Sequence, residues 1–101
     1  MILIYTTFPD LESAKKVVKL LLEKKLIGCA NIREHKALYW WEGKIEEDDE
    51  IGVIIKTKNE KWEEVKKVIK ENHPYSTPLI MKIDVDDVNI EYLKWLDEVV
   101  E

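Results

Sequence analysis

The segment that decides the fold is Ala37-Leu38-Tyr39-Trp40-Trp41-Glu42-Gly43-Lys44-Ile45, which places two of the four tryptophans beside a Glu-Gly turn signal. It completes a run of 13 residues from Cys29 to Trp41 that has neither proline nor glycine, and we expect this run to form one strand. Fully extended at about 3.3 Å per residue, such a strand spans roughly 43 Å, whereas ordinary strands span about 17–20 Å. The sequence therefore predicts a hairpin that projects beyond the body of its domain.

A projecting hairpin of this composition needs a partner. A domain of 101 residues has a radius of gyration near ~13 Å, so the outer half of the hairpin would leave Tyr39, Trp40 and Trp41 exposed. Unpaired strand edges with exposed aromatic side chains aggregate unless another chain covers them. We therefore expect these three residues to lie in an interface between copies of this protein. The loop that joins the two arms is expected within 42–50, and the acidic stretch 46–50 is interpreted as a solvated turn.

Helical periodicity marks three segments of the chain. The first begins after Asp10, the expected N-cap, and the chain is expected to turn back at Gly28. The second is expected to be capped by Asn59 and to end at His73-Pro74, since proline cannot continue a helix. A last short helix is expected after a cap on Asn89.

Strand patterns occupy the intervals between these helices. Residues 2–7 form a nearly continuous apolar run that indicates a central strand, and residues 51–57 alternate as the second arm of the hairpin. Leu79, Met81, Ile83 and Val85 alternate with Ile80, Lys82 and Asp84, and the first set is expected to form the buried face of a fourth strand. The predicted order is β-α-β-β-α-β-α. This is the ferredoxin-like, split βαβ arrangement of the α+β class, with the first two helices on one face of the sheet.

Composition sets the broad class of the protein. A chain of 101 residues with 46% apolar content suits one core, so we expect a single domain over 1–101. With 16 Lys and Arg against 21 Asp and Glu, the net charge is −5, which argues against nucleic acid as a partner. Dense lysine and glutamate are typical of thermophile surfaces, and we expect a melting temperature above about 65 °C. The apolar start at residues 1–5 is too short for a membrane span, and with one cysteine the cytoplasm is the expected location.

Candidate metal ligands are few and each has a structural alternative. His73 precedes Pro74 at a helix end, where a charged imidazole would gain from the helix dipole. His35 has no second histidine nearby in the sequence and is expected to be exposed, and Cys29 suits an inert packed thiol more than a reactive one. The acidic stretch 46–50 and the aspartates of 84–87 could bind hard cations weakly. Neither a nucleophile beside a histidine nor a phosphate-binding loop is present, so we expect no enzymatic activity.

Several short motifs carry a family resemblance when taken in order. They are Cys29-Ala30-Asn31, Tyr39-Trp40-Trp41-Glu42-Gly43-Lys44, Lys56-Thr57, His73-Pro74-Tyr75 with Pro78, and Tyr92-Leu93 with Trp95-Leu96. Together with the order of elements, they resemble the CutA divalent-cation tolerance family over essentially the whole chain. The resemblance implies a cytoplasmic homotrimer built by pairing of the long hairpins between subunits, with Tyr39, Trp40 and Trp41 in the trimer interface. It also implies tolerance of copper and other divalent metals, copper binding in some members, and no settled catalytic activity.

The resemblance also bears on the sites. The copper site of the family has a cysteine at the end of the first strand and a His-His pair before Pro-Tyr. Here Thr6 and Asn72 replace the cysteine and the first histidine, so His73 and Cys29 remain as the candidate ligands for Cu²⁺ or another divalent ion. An alternative function follows from the architectural similarity of CutA to the PII signalling proteins. It is a trimeric scaffold or small-molecule sensor that binds its ligand in clefts between subunits, near Lys56 and Tyr75.

Overall fold

The computed structural model describes residues 1–101. Its elements are β1 (Ile2–Phe8), α1 (Leu11–Glu23), β2 (Cys29–Trp41), β3 (Lys44–Thr57), α2 (Trp62–Asn72), β4 (Ile80–Asp84) and α3 (Ile90–Val99). The predicted order of elements and the α+β class are confirmed. The four strands form one antiparallel sheet in the order β2-β3-β1-β4, with β1 inside it as predicted.

The core lies between one face of this sheet and the first two helices. Ile4 of β1 and Val53 of β3 are fully buried there against Val17 and Leu21 of α1 and Val65 of α2. Burial of side chains such as these stabilises a fold by about 1.5–3 kcal/mol each. The helices therefore cover one side of the sheet, as the predicted crossovers require.

The prediction for the fourth strand placed the wrong face inside. Pairing with β1 sets Ile80 opposite Thr6 and Lys82 opposite Ile4, so Ile80 packs against the core under the helices. Met81 and Ile83 consequently lie on the uncovered face and are 41% and 42% exposed. Alternation alone identifies two faces of a strand, and only the register with a neighbour decides which of them meets the helices.

Helix α1 starts as predicted and ends differently. The Ser13 amide donates a hydrogen bond of 2.7 Å to Oδ1 of Asp10, which confirms the N-cap. The turn after the helix is made by Lys25, not by Gly28, because Lys25 adopts a left-handed φ of 57°. The amides of Lys25 and Leu26 then bond back to the carbonyls of the last helical turn, in a pattern usually built on glycine.

Gly28 instead provides room for α3. A Cβ atom at this position would lie 2.4 Å from Cδ1 of Leu96 and 3.3 Å from Cζ3 of Trp95. The absence of a side chain thus lets α3 pack closely on the start of β2. Leu96 is 1% exposed, so this contact fixes α3 against the end of the sheet.

The start of α2 also departs from expectation. Asn59 begins a short 3-10 turn, and α2 begins after it at Trp62 without any side-chain cap. The Asn59 side chain accepts a hydrogen bond of 3.0 Å from Nζ of Lys82 instead of capping the helix. The predicted end of the helix at His73-Pro74 is confirmed, since His73 is the residue that follows the last helical turn.

The hairpin closes in a two-residue turn. Glu42 and Gly43 have φ angles of 49° and 77°, the left-handed conformation that a tight hairpin turn of this length requires. The predicted strand from Cys29 to Trp41 is confirmed, but the expected solvated turn at 46–50 is wrong, because these acidic residues lie in β3. Two turn residues suffice, so β3 begins at once with Lys44 opposite Trp41.

The hairpin projects far beyond its sheet. The pairing of β1 with β3 stops at Ile51, while β2 and β3 pair for seven further rungs, from His35 opposite Glu50 to Trp41 opposite Lys44. At about 3.4 Å per residue, this outer part measures roughly 24 Å. It accounts for a molecule of 46 × 25 × 21 Å with a radius of gyration of 14.4 Å.

Candidate functional site

A cluster of polar side chains lies at the root of the hairpin, where it leaves the sheet. His35 and Glu50 face each other across β2 and β3, and Nε2 of His35 lies 2.9 Å from Oε1 of Glu50. The hydroxyl of Tyr75, from the loop after α2, donates to the other oxygen of Glu50 at 3.3 Å. The His35 ring packs over Gly52, where an added Cβ would lie 2.9 Å from two of its ring atoms.

This cluster was not predicted, because His35 was expected to be exposed and Glu50 to lie in a turn. Their side chains are in fact only 29% and 17% exposed. The sequence nevertheless contained a signal for this pair. In a hairpin with a two-residue turn at Glu42-Gly43, the numbers of two directly opposite residues sum to 85, so His35 lies opposite Glu50.

Tyr75 is strongly perturbed by this environment. Burial, followed by the charge of Glu50 and its hydrogen bond, raises the pKa of Tyr75 to about 12. The phenol therefore stays protonated at neutral pH and acts as a hydrogen-bond donor to the carboxylate. Tyr75 thus connects the loop after α2 to the hairpin.

His73 uses both of its ring nitrogens within the chain. Nε2 donates to the carbonyl oxygen of Thr7 at 2.7 Å, and Nδ1 accepts from the amide of Tyr75 at 3.0 Å. The ring stacks on Phe8 with a centroid distance of 4.3 Å. Burial lowers the pKa of His73, so the imidazole is neutral near pH 7 and stabilises the end of the helix by packing and hydrogen bonding. A metal ion at His73 would have to displace one of these bonds.

Cys29 lies at the opposite end of the sheet from His73. It is half-buried at the start of β2, opposite Lys56, and faces Tyr92, whose pKa is raised by burial and then by Cys29. Thr7, whose carbonyl bonds to His73, pairs with Gly52. Gly52 lies four residues from Lys56 along β3, a distance of about 13 Å. A single chain therefore does not bring Cys29 and His73 to one metal ion. Nor does it bring together three or more histidine, cysteine, aspartate or glutamate side chains at one metal position.

The two residues assigned to a cleft are also apart within one chain. Tyr75 contacts Glu50, whereas Lys56 lies six residues further along β3, about 20 Å away, with its Nζ 5.9 Å from the centre of the Tyr92 ring. Lys56 and Tyr75 would line a common cleft only if two subunits contributed them.

The outer hairpin presents the aromatic residues as the sequence predicted. Trp40 is 72% exposed and lies opposite Ile45, which is 66% exposed, while Trp41 is 59% exposed. Tyr39 is 40% exposed and donates its hydroxyl to Asp48. These side chains have no covering layer within the chain. None of the three helices is both long and apolar enough to cross a bilayer.

The chain is similar to known proteins in both sequence and structure. The model of the CutA1 divalent ion tolerance protein family matches residues 2–99. The divalent-cation tolerance protein CutA of Pyrococcus horikoshii is 67% identical over 98 residues, which are 97% of this chain and 96% of that protein. A crystal structure of CutA1 from that organism has a TM-score of 0.97 at 64% identity and covers 100% of this chain and 99% of its own.

A second solved structure agrees. It is described as the periplasmic divalent cation tolerance protein CutA from Archaeoglobus fulgidus, and it has a TM-score of 0.96 at 47% identity, with 100% of both chains covered. The similarity thus spans the sheet, the helices and the projecting hairpin together. On this basis the chain belongs to the CutA1 divalent ion tolerance protein family.

Proposed function

We propose that this protein is a cytoplasmic homotrimer that binds copper or other divalent cations and acts in tolerance of these ions. The observation that supports the assembly is the outer hairpin, whose seven rungs extend about 24 Å beyond the last pair with β1. The family, defined by divalent ion tolerance, supports the link to cations. The single cysteine excludes a disulfide within one chain, in keeping with a reducing compartment.

Two apolar surfaces favour self-association. On the hairpin, Leu38, Trp40 and Ile45 share one face and are 66%, 72% and 66% exposed. On the uncovered face of the sheet, Met81 and Ile83 remain partly exposed as well. Monomeric soluble proteins rarely expose contiguous apolar patches of this kind, and such patches mark interfaces. The outer edge of β2 adds unpaired backbone groups, which a strand of a neighbouring subunit would satisfy.

The charge distribution supports cation binding. The net charge is −5, and five consecutive acidic residues, 46–50, alternate between the two faces of the hairpin. Oligomerisation would multiply each ligand by the number of subunits, whereas one chain offers no group of three donors. A cation site of high affinity would therefore depend on assembly.

The assembly is tested by size-exclusion chromatography with light scattering. We expect the wild type to have three times the chain mass of 12.0 kDa. Trp40→Glu introduces a charge into the exposed apolar face of the hairpin and should yield smaller species. Leu22→Glu is the matched control, because Leu22 is 41% exposed near the end of α1 and is not part of the hairpin, so this variant should remain assembled. A wild-type mass of one chain would refute the trimer.

Cation binding and location are tested separately. Equilibrium dialysis of the purified oligomer with Cu²⁺ or Zn²⁺ should show retention of the ion at submillimolar concentration, and absence of retention for both would refute a cation-binding function. Recovery of the protein in the periplasmic fraction of its host cells would refute the cytoplasmic assignment.

A further inference from the structure

We propose that His35 and Glu50 chelate a divalent transition-metal ion at the root of the hairpin. The inference rests on the proposed cation-binding function and assigns a site to it. The site is separate from His73 and Cys29, and the metal would bind between Nε2 of His35 and Oε1 of Glu50.

The separation of the two donor atoms suits a chelate. Zinc, for example, binds imidazole nitrogen at about 2.0–2.1 Å and carboxylate oxygen at about 2.0–2.2 Å. At bond angles between about 90° and 109°, two such donors lie about 2.9–3.4 Å apart. Nε2 and Oε1 are 2.9 Å apart, so both donors can reach one ion once their hydrogen bond is broken and the two side chains rotate to direct their lone pairs at it.

Both ligands are held in position by their surroundings. The register of β2 and β3 places His35 directly opposite Glu50, and the ring rests on Gly52, where a Cβ would lie 2.9 Å from Cε1 and Nδ1. Tyr75 donates to the second oxygen of Glu50 and so orients the carboxylate. Partners of this kind behind the ligands commonly determine metal affinity. In the single chain 29% and 17% of these two side chains are exposed, so an ion can reach them from solvent.

His35 is a better metal ligand in this chain than His73. Both nitrogens of His73 are engaged by backbone groups of Thr7 and Tyr75, and a metal would leave one of these groups unpaired. The Nε2 atom of His35 is hydrogen-bonded only to Glu50, and Glu50 would become the second ligand of the metal. Binding at His35 therefore sacrifices no backbone hydrogen bond.

The donor set defines the class of ion. One imidazole and one carboxylate suit Cu²⁺, Zn²⁺ or Ni²⁺, whereas Mg²⁺ and Ca²⁺ prefer oxygen ligands alone. Asp48 and Glu46 follow Glu50 on the same face of β3, and their charges raise the local concentration of cations. With two side-chain donors, water completes the coordination shell and the ion remains exchangeable.

The experiment is calorimetric titration of the purified oligomer with Cu²⁺ and with Zn²⁺. We expect His35→Gln to lower the association constant by more than about tenfold, because only the carboxylate remains. Tyr75→Phe should lower it by up to about tenfold, through loss of the group that orients Glu50. Asp49→Asn is the matched control, since Asp49 is an equally acidic neighbour on the opposite face of β3, paired with Lys36, and should leave the constant unchanged.

A second measurement tests the ligand directly. The electron paramagnetic resonance spectrum of the Cu²⁺ complex should show coupling to an imidazole nitrogen that disappears in His35→Gln and persists in His73→Gln. Circular dichroism and light scattering verify that each variant is folded and assembled. If the wild type binds an ion and His35→Gln binds it equally well, the His35–Glu50 site is refuted while the proposed function stands. If the wild type binds neither ion, the proposed cation binding itself fails.

Discussion

Replacement of Thr6 by valine is expected to stabilise the protein, although it removes a polar group from the centre of the sheet. Thr6 is 0% exposed, and its hydroxyl is a buried side-chain group without a hydrogen-bond partner. In β1 it lies on the helix-covered face, where its neighbours across the strands are Val53 and Ile80. Valine has nearly the same shape and replaces the hydroxyl by a methyl group.

The magnitude follows from the cost of an unsatisfied hydroxyl. A buried polar group without a partner costs about 1–3 kcal/mol, and a small part of the gain is lost because methyl is larger than hydroxyl. We therefore expect Thr6→Val to raise the free energy of unfolding by about 1 kcal/mol per chain. With a guanidinium m-value of about 2–6 kcal/mol/M, the midpoint should rise by about 0.2–0.5 M.

Thr57→Val is the matched control for this measurement. Thr57 is also 0% exposed in a strand of the same sheet, but its hydroxyl donates to the carbonyl of Leu26 at 2.6 Å. The same substitution there removes a hydrogen bond and should lower the free energy of unfolding by about 1–2 kcal/mol. Both variants are unfolded in guanidinium at one protein concentration, because the stability of an oligomer depends on concentration. If Thr6→Val destabilises the protein as much as Thr57→Val does, the reasoning is refuted.

Two further predictions concern α3 and the hairpin root. Gly28→Ala should lower the free energy of unfolding by about 1–3 kcal/mol, because its Cβ would overlap Leu96. Gly43→Ala has no atom within 4 Å of the added Cβ, so it should lower the free energy of unfolding only by the strain of the left-handed conformation, about 1–2 kcal/mol. Thermal melts followed by tryptophan fluorescence should show loss of α3 packing in Gly28→Ala alone. Because the pKa of Tyr75 is raised from 10 to about 12, its contribution to stability is full below pH 10 and disappears as the pH rises to 12. Tyr75→Phe should make the free energy of unfolding depend less on pH between pH 10 and 12. If its slope against pH is the same as in the wild type, the raised pKa of Tyr75 is contradicted.

Local patterns predicted much of this fold. The apolar periodicities located all seven elements, and the run from Cys29 to Trp41 predicted the long arm of the hairpin to the residue. Asp10 is a cap because its side chain competes well for free helix amides, which is a property of the local sequence. Each of these results depends on residues close together in the chain.

The failures depend on contacts between distant segments. Asn59 has the chemistry of a cap, but it lies near Lys82, far away in sequence, and bonds to that side chain instead. Lys25 takes the left-handed position at the end of α1, and Gly28, three residues later, leaves room for Leu96 and Trp95 of α3. No periodicity in a single segment carries this information.

The candidate site was predictable only in part, for a related reason. His73 was found from its position before Pro74, but its ring stacks on Phe8 and donates to the Thr7 carbonyl, and both of these partners lie in β1, far away in the sequence. The His35–Glu50 pair depends on one detail, the exact position of a two-residue turn. An acidic stretch has little strand propensity, and the pairing with β2 overrides that preference.

The turn at Glu42-Gly43 also restricts how the hairpin can change its length during evolution. One residue inserted into either arm would move every side chain between the insertion and the turn to the opposite face. Insertion of one residue in each arm would restore pairing but exchange the two faces of the tip. Only two residues gained or lost in each arm preserve both, so tolerated lengths should differ in steps of about 7 Å. Natural variation in this segment is therefore expected in units of four codons.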